Sequence, residues 1–238
     1  MGQDAYVPVL TRPRNDPGQY DDLAAEWWRP RGAFAPLHWV AKARGALVPP
    51  PRRNGATLLD VACGGGLLAP HVTGYRHVGV DLGESAARIA REHGVTAVRG
   101  DVTRLPVRSE SVDVVVAGEC FEHVPDLAAF VAEIGRVLAP GGTLVCDTLA
   151  DTRTARTLMV TVAERLPFVP AGIHDPALFV DPRRLQRLCA ANGIELKVRG
   201  LRPSFVDALR WQARRTEDVR MLPMRWTGVL YQGVGVKR

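Results

Sequence analysis

Short apolar runs alternate with helical patterns between residues 56 and 150, and this alternation restricts the fold more than any other feature of the chain. The runs predicted as strands are ATLLDVA, HVGVDL, VTAVRGDV, SVDVVVAGE and TLVCDTLA. The segments predicted as helices between them are GLLAPHVT, ESAARIAREHG and DLAAFVAEIGRVLAPGG. Apolar strands that alternate with helices are typical of a parallel sheet covered on both faces. The sequence therefore predicts an α/β, Rossmann-like, doubly wound fold.

We predict a flexible arm followed by one folded domain of residues 20–238. Residues 1–19 form the arm because they are polar and rich in Pro and Gly. The predicted parts of the domain are N-terminal helices (20–51), a cofactor-binding half (56–150), a lid insertion (152–180) and a C-terminal half (181–238). The C-terminal half carries the helix PRRLQRLCAANG and the strands IELKVRG and TGVLYQGVGVKR, so the predicted sheet is seven-stranded.

Charge and composition exclude several classes of protein. The net charge is +6 at pH 7, but the arginines are scattered and form no basic stripe with aromatic residues, so we expect no nucleic-acid partner. The cysteines Cys63, Cys120, Cys146 and Cys189 form no C-x-x-C pair, which predicts buried free thiols in a reducing compartment. The N-terminus has no apolar signal region, and no run reaches the roughly 20 apolar residues of a membrane span. We therefore expect a cytoplasmic protein.

The stretch LLDVACGGGLLAPH, residues 58–71, predicts a nucleotide-binding turn between a strand and a helix. Glycines at such a turn let the backbone approach a ligand closely. Counted from Gly64, the spacing of Gly64, Gly66 and Ala69 matches a dinucleotide fingerprint. Counted from Asp60, the pattern is D-x-A-x-G-x-G, with an acid at the strand end. The first interpretation indicates a dehydrogenase and the second a different cofactor.

Three acids at predicted strand ends decide between these interpretations. Asp60 would repel a pyrophosphate, whereas S-adenosylmethionine carries an ammonium and a sulfonium that suit a carboxylate. Asp81 can accept hydrogen bonds from both ribose hydroxyls of either cofactor. Asp101 can accept from the adenine amine while Val102 packs against the ring, although a turn cap is the alternative role for Asp101. Together the three acids favour S-adenosylmethionine.

The segments LLDVACGGG, VGVD, RGDV, FEHVPD and LAPGGTL, in this order, resemble class I S-adenosylmethionine-dependent methyltransferases. A narrower resemblance is carried by YDDLAAEWWRPRGAFAPLHWVAKAR, ECFEHVPD and RLPFVPAGIHDPALFVDPRRL. These segments are similar to the ubiquinone-biosynthesis O-methyltransferase family, which methylates polyprenyl catechols and quinol precursors. The likeness covers residues 20–203 and ends before residues 204–226, which match nothing in the family and leave the acceptor open.

The resemblance implies a set of cofactor contacts. Arg44 matches the arginine that meets the cofactor carboxylate, and Asp81 matches the acid on the ribose. Ala62 stands where glycine is usual, and its methyl group is expected to fit if the backbone torsion is ordinary. Gly118 stands where the family has a bulkier residue, so we expect a roomier pocket. The predicted cofactor-binding set is Arg44, Asp60, Ala62, Gly64, Gly66, Asp81, Leu82, Asp101, Val102 and Gly118.

Methyl transfer to a phenol requires in-line positioning and removal of the phenolic proton. His123, just beyond the fourth strand, is predicted to be the base, with a turn cap as its alternative role. The resemblance implies that Glu119, Glu122 and His123 bind Mg²⁺ or another divalent cation, a role that suits two carboxylates and an imidazole. Glu119 and His174 join His123 in the predicted catalytic set, and His174 is expected to line the acceptor pocket.

The insertion 152–180 is predicted to be a helix, RTARTLMVTVAERL, followed by a Pro-rich turn. It carries the apolar side chains Leu158, Met159, Val162, Leu166, Phe168 and Val169. These side chains either pack on the sheet or form the mouth for a lipophilic aromatic acceptor, a surface that can also touch a membrane.

The predicted function is O-methylation of a phenolic, catechol or quinol hydroxyl by S-adenosylmethionine. One alternative is a C- or N-methyltransferase of a small secondary metabolite, which would show no metal dependence. The alternative from another class is a non-catalytic cofactor-binding protein that serves a partner enzyme. A NAD-dependent enzyme is the most distant alternative.

Overall fold

The strands of the computed structural model, which describes residues 12–165 and 169–238, form one mixed sheet. Its eight strands are β1 (Thr57–Val61), β2 (Arg76–Asp81), β3 (Thr96–Arg99), β4 (Val112–Gly118), β5 (Leu138–Leu149), β6 (Ile194–Pro203), β7 (Met221–Met224) and β8 (Leu230–Lys237). Their order is β3-β2-β1-β4-β5-β8-β6-β7. Strands β1 to β5 pair in parallel, and β8 lies antiparallel between β5 and β6. The strand order reverses between β1 and β4, where open α/β sheets bind their ligands.

The predicted α/β doubly wound fold is confirmed, but the predicted number of strands is one too low. The additional strand, β7, pairs antiparallel with β6 at the edge of the sheet. It comes from residues 204–226, which carry no assigned element in the sequence prediction. Its four residues, MLPM, show no apolar-polar alternation and contain Pro223, so no strand signal is present there.

The helices cover both faces of the sheet. They are α1 (Gly18–Asp22), α2 (Ala35–Gly45), α3 (Glu84–Glu92), α4 (Leu127–Val137), α5 (Arg153–Arg156), α6 (Pro182–Ala191) and α7 (Phe205–Gln212). The largest core cluster lies between the sheet and α4, where Phe130 and Ile134 are fully buried. Asp126 begins α4 by accepting a hydrogen bond from the Ala129 amide. None of the helices in residues 12–165 and 169–238 combines the length and the apolar character needed to cross a bilayer.

The predicted helix GLLAPHVT is wrong. The structure has only a short 3-10 turn, Ala69–His71, in this connection. Residues 62–66 form the glycine loop, so few residues remain before β2 begins at Arg76. Pro70 also lacks the amide hydrogen that an α-helix interior requires. The short connection and the proline together restrict this segment to one tight turn.

The predicted arm, 1–19, differs from the structure over residues 12–19, while residues 1–11 lie outside the described part. Gln19 is fully buried and donates a hydrogen bond to the carbonyl of Gly172. Leu23, Trp27 and Phe34 continue this packing in one apolar cluster that includes Ile173 from the insertion. Residues 12–34 therefore form a folded N-terminal cap rather than a loose arm, because their aromatic and aliphatic side chains have a surface to pack on.

The insertion 152–180 begins with α5 and continues as a wide helical turn, Thr157–Val162. Met159 packs beside Leu149 and Phe179, whereas Leu158 and Val162 are 43% and 47% exposed. The insertion therefore combines a packed side with an outward apolar side. The predicted side chains Leu166 and Phe168 lie outside the described residues.

The prediction of unpaired, buried cysteines is confirmed. Cys63, Cys120, Cys146 and Cys189 are all buried, and none forms a disulfide. Burial raises the pKa of each thiol, so the thiolate form is disfavoured at neutral pH. These cysteines act as small apolar residues of the core.

Candidate active site

The glycine loop after β1 adopts left-handed backbone torsions at three positions. The φ angles are 53° at Ala62, 53° at Gly64 and 80° at Gly66. A Cβ at Gly64 would lie 2.4 Å from the ring of Trp27, so glycine is needed there for space as well as for torsion. The methyl group of Ala62 is expected to fit without strain only if the backbone torsion is ordinary. Its φ is left-handed instead, so Ala62 carries backbone strain.

Asp81 ends β2 and is held by the loop that it faces. Its Oδ2 accepts a hydrogen bond of 2.8 Å from the Gly64 amide, and its Oδ1 accepts one of 2.9 Å from the Gly83 amide. Burial raises the pKa of Asp81, although the two amide hydrogen bonds oppose this shift. Its neighbour Leu82 is exposed at the same edge of the sheet. The carboxylate is therefore fixed in orientation at the carboxyl end of β2.

Asp60 lies near the end of β1, and His77 is its unexpected neighbour. The Nε2 atom of His77 is 3.4 Å from Oδ2 of Asp60, and both side chains are nearly inaccessible. No role for His77 is predicted from the sequence. Its position follows from the parallel register, which pairs Leu58 with His77 and Asp60 with Gly79.

Arg44, from α2, forms a buried ion pair with Asp147 at the end of β5. Its Nε and Nη2 atoms donate hydrogen bonds of 2.6 and 2.8 Å to the two carboxylate oxygens. The guanidinium lies against Gly118, where a Cβ would come 1.7 Å from Cζ. The expectation of a roomier pocket at Gly118 is therefore wrong, because the Arg44 side chain fills the space.

Asp101 and Val102 follow β3. The Oδ1 atom of Asp101 accepts hydrogen bonds from the amide and the hydroxyl of Thr103, which lower the pKa of this exposed carboxyl. Asp101 therefore caps a turn, which is the alternative role predicted for it from the sequence. Val102 is partly buried against the main core cluster.

The segment after β4 brings two glutamates inward: Glu119 directly follows the strand, and Glu122 lies in the turn Phe121–His123. Glu122 is fully buried, and its Oε2 accepts a hydrogen bond of 2.6 Å from the Thr148 hydroxyl. Its Oε1 and the Oε1 of Glu119 are buried with no hydrogen-bond partner among the described residues. Burial raises the pKa of Glu122 to about 7 and also raises that of Glu119, which faces the charge of Glu122. Such orphaned oxygens indicate a site that can accept a cation.

His123 is held at both ring nitrogens by the N-terminal cap. Nδ1 lies 2.5 Å from the Asn15 side-chain oxygen, and Nε2 lies 3.1 Å from the Tyr20 hydroxyl. Because the amide oxygen only accepts, Nδ1 carries the proton and Nε2 accepts from Tyr20. Burial, reinforced by His174, lowers the pKa of His123 to about 3, so the imidazole is neutral. Neither Asn15 nor Tyr20 is predicted from the sequence to contribute to the site.

His174, from the insertion, completes a group of possible metal-binding side chains. Its ring stacks on His123 with centroids 5.3 Å apart, and burial lowers its pKa to about 4. Donor atoms of Glu122, His123 and His174 lie within 4.8 Å of one another. The predicted ligand set contained Glu119 instead of His174. In the described structure Glu119 remains outside this group, and its amide donates to Asp147.

Comparison with known proteins agrees with this geometry. Residues 59–146 match the family described as a Methyltransferase domain. A SAM-dependent methyltransferase structure from Thermotoga maritima covers 92% of this chain and 97% of its own, with a TM-score of 0.67 and 20% identity. Phosphoethanolamine N-methyltransferase 2 from Haemonchus contortus, solved with S-adenosyl-L-methionine, covers 92% of this chain and 59% of its own, with a TM-score of 0.59 and 16% identity. The chain has the fold of the class I S-adenosylmethionine-dependent methyltransferases.

Relatives with closer sequences define the family within this class. A ubiquinone biosynthesis O-methyltransferase from Nitrosococcus oceani is 35% identical over 77% of this chain and 82% of its own. One from Leptothrix cholodnii is 30% identical over 83% of this chain and 90% of its own. The chain belongs to the ubiquinone biosynthesis O-methyltransferase family, which confirms the resemblance drawn from its motifs.

Proposed function

We propose that the protein transfers a methyl group from S-adenosylmethionine to a phenolic hydroxyl of a catechol or quinol. The observation that carries the proposal is the group of Glu122, His123 and His174, which lies just beyond β4, at the switch point of the sheet. Phenols have a pKa of ~10, so removal of the proton must be assisted at neutral pH. The names of the relatives support the same acceptor chemistry, since they refer to ubiquinone biosynthesis.

The cofactor is proposed to lie along the carboxyl ends of β1, β2 and β4. Asp81 would accept from the ribose, and Asp60 would attract the ammonium or sulfonium. Leu82 and Val102 would contact the adenine, with Asp101 at its amine. Arg44 would meet the carboxylate, while the loop of Ala62, Gly64 and Gly66 and the backbone at Gly118 would approach the ligand closely.

A divalent cation fits the group of Glu122, His123 and His174. One buried oxygen of Glu122 has no hydrogen-bond partner among the described residues, and the His174 imidazole is neutral, so these two residues can each offer a lone pair. Nε2 of His123 would join them when the Tyr20 hydroxyl turns away from it. A bound cation would lower the pKa of a coordinated phenol. That contribution matters here because an imidazole with a pKa of about 3 is a weak base for a phenolic proton. Glu119, beside this group, would add negative charge.

The test is methylation of a panel of catechols and hydroquinones with Mg²⁺ or with chelator. We expect turnover that falls in chelator, and a loss of at least tenfold in Glu122→Gln and His174→Asn. His93→Asn is the matched control, because His93 stacks on Trp28 away from this group. Cofactor binding without turnover on any catechol or hydroquinone would contradict the proposed acceptor. Full activity of both variants in chelator would exclude the cation and leave His123 as the sole base.

We also propose that the acceptor is lipophilic and that the insertion 152–180 touches the membrane surface from which it comes. Leu158 and Val162 support this, because both are apolar and almost half exposed. Vesicles of neutral and anionic lipid provide the test by cosedimentation. Leu158→Asp with Val162→Asp should reduce binding, whereas binding that is unchanged by both substitutions would contradict a contact through this segment.

A further inference from the structure

The ion pair between Arg44 and Asp147 is more completely fixed than a typical surface pair. Both carboxylate oxygens accept from the guanidinium, in the side-on arrangement that gives two parallel hydrogen bonds. Asp147 has no exposed surface, and its Oδ1 also accepts a hydrogen bond of 3.0 Å from the Glu119 amide. The orientation of the carboxylate is therefore determined by the residue that follows β4 as well as by the arginine.

The pair leaves one edge of the guanidinium for another partner. An arginine has five N–H donors, and the bonds to Asp147 come from Nε and Nη2. The Nη1 atom lies 2.2 Å from where a Cβ at Gly118 would stand, over the carboxyl end of β4. That edge of the sheet is where ligands bind in this fold. The guanidinium lies flat against Gly118, with Nε and Nη1 at 2.1 and 2.2 Å from that Cβ position, so the Nη1 donors that the pair does not use also lie at this edge.

We propose that Asp147 is a positioning residue for the cofactor: together with Gly118, it holds Arg44 so that the remaining guanidinium donors receive the carboxylate of S-adenosylmethionine. This inference rests on the proposed contact between Arg44 and that carboxylate. A long arginine side chain normally loses rotamer freedom when it binds a ligand. Here the Arg44 side chain is ordered before the cofactor binds. Asp147 holds its Nε and Nη2 atoms, and the absence of a side chain at Gly118 leaves room for the guanidinium.

The experiment compares S-adenosylmethionine with its decarboxylated form, which keeps the ammonium and the sulfonium and lacks only the carboxylate. Calorimetric titration measures the affinity ratio of the two ligands in the full-length protein. We expect the native protein to prefer S-adenosylmethionine at least tenfold. Asp147→Asn should bring this ratio close to one while the affinity for the decarboxylated ligand changes less than threefold. Asp113→Asn is the control, because Asp113 pairs side-on with Arg53 on the surface.

The second variant, Gly118→Ala, tests the same relationship while both charges of the pair are retained. Its methyl group must displace the Arg44 guanidinium, so the ratio should fall here as well. An Asp147→Asn variant that keeps or raises the native ratio, whether or not both affinities fall, would overturn the role of Asp147. An unchanged ratio in Gly118→Ala would overturn the role of Gly118. The variant Arg44→Leu tests separately whether Arg44 contacts the cofactor carboxylate. If the affinity ratio is unchanged in Arg44→Leu, the proposed contact of Arg44 with the cofactor is wrong, independently of the result for Asp147→Asn.

Discussion

The indole ring of Trp27 lies on the glycine loop, with its Cη2 atom 2.4 Å from the position that a Cβ of Gly64 would occupy. Trp27 belongs to the N-terminal cap, and Phe34 packs beside it with ring centroids 4.3 Å apart. The N-terminal cap therefore packs on the glycine loop at Gly64, where Trp27 leaves no room for a side chain. Any ligand that enters along this loop must share the space with Trp27.

We expect Gly64→Ala to destabilise the protein by about 2–5 kcal/mol. Left-handed torsion costs a non-glycine residue about 1–2 kcal/mol, and the clash with Trp27 adds about 1–3 kcal/mol. Urea unfolding measures the difference. Gly94→Ala is the matched control, because Gly94 has a φ of 87° and a Cβ placed there would meet nothing within 4 Å. Equal losses in the two variants would show that Trp27 does not restrict this position.

Ala62→Gly should stabilise the protein. The substitution removes a left-handed torsion that costs alanine about 1–2 kcal/mol. Glycine also loses more conformational freedom on folding, which offsets about 0.5–1 kcal/mol of this stabilisation. The expected net effect is about 0.5–1 kcal/mol and a higher Tm. Ala132→Gly, at an exposed position in the middle of α4, should instead lose about 1 kcal/mol. A loss at Ala62 as large as at Ala132 would contradict the strain.

The sequence predicts the parts of this fold that depend on local pattern. The alternation of strands and helices, the glycine loop and the strand-end acid Asp81 all need only neighbouring residues. Asp147 could have been found by the same signal, because it is also an acid near the end of an apolar strand. His77 could not, since its approach to Asp60 depends on the register between β1 and β2.

The contacts to His123 are beyond any local pattern. Tyr20 and Asn15 lie 103 and 108 positions away along the chain, and nothing in their own segments marks them as partners of an imidazole. The replacement of Glu119 by His174 in the candidate metal group has a similar origin. Their spacing in the sequence suggests that Glu119, Glu122 and His123 lie together. In the structure Glu119 has a positive φ of 49° and its amide donates to Asp147, and its side chain is not part of the group.

Cofactor affinity should decrease as the pH falls, because the proposed contact of Asp81 with both ribose hydroxyls needs an ionised carboxylate. Burial raises the pKa of Asp81 above its ordinary value of ~3.9, so the carboxylate is lost at a higher pH than usual. The affinity for S-adenosylhomocysteine is expected to be full at about pH 8 and to weaken as the pH falls toward the raised pKa of Asp81. Asp81→Asn should bind weakly and show no such slope.

The control for this pH dependence is Asp101→Asn. The pKa of Asp101 is lowered by its bonds to Thr103, so Asp101 stays ionised through the same range. This variant should keep the slope of the native protein even if its affinity is lower. A slope that disappears in Asp101→Asn and persists in Asp81→Asn would contradict the assignment of the titration to Asp81. Calorimetric titration across this pH range distinguishes these results.

Tyr20→Phe should lower methyl transfer roughly tenfold, the effect expected for loss of one hydrogen bond of about 1.4 kcal/mol. The Tyr20 hydroxyl donates to Nε2 of His123, and burial raises the pKa of the phenol, so this donor persists at any working pH. Phenylalanine keeps the stacking on Phe34 and removes only the hydroxyl. Tyr75→Phe is the matched control, since Tyr75 donates to the Pro49 carbonyl at the amino-terminal edge of the sheet. If both variants lose activity equally, the loss is an effect of reduced stability. If only Tyr20→Phe loses activity and its Tm stays native, the hydroxyl orients His123.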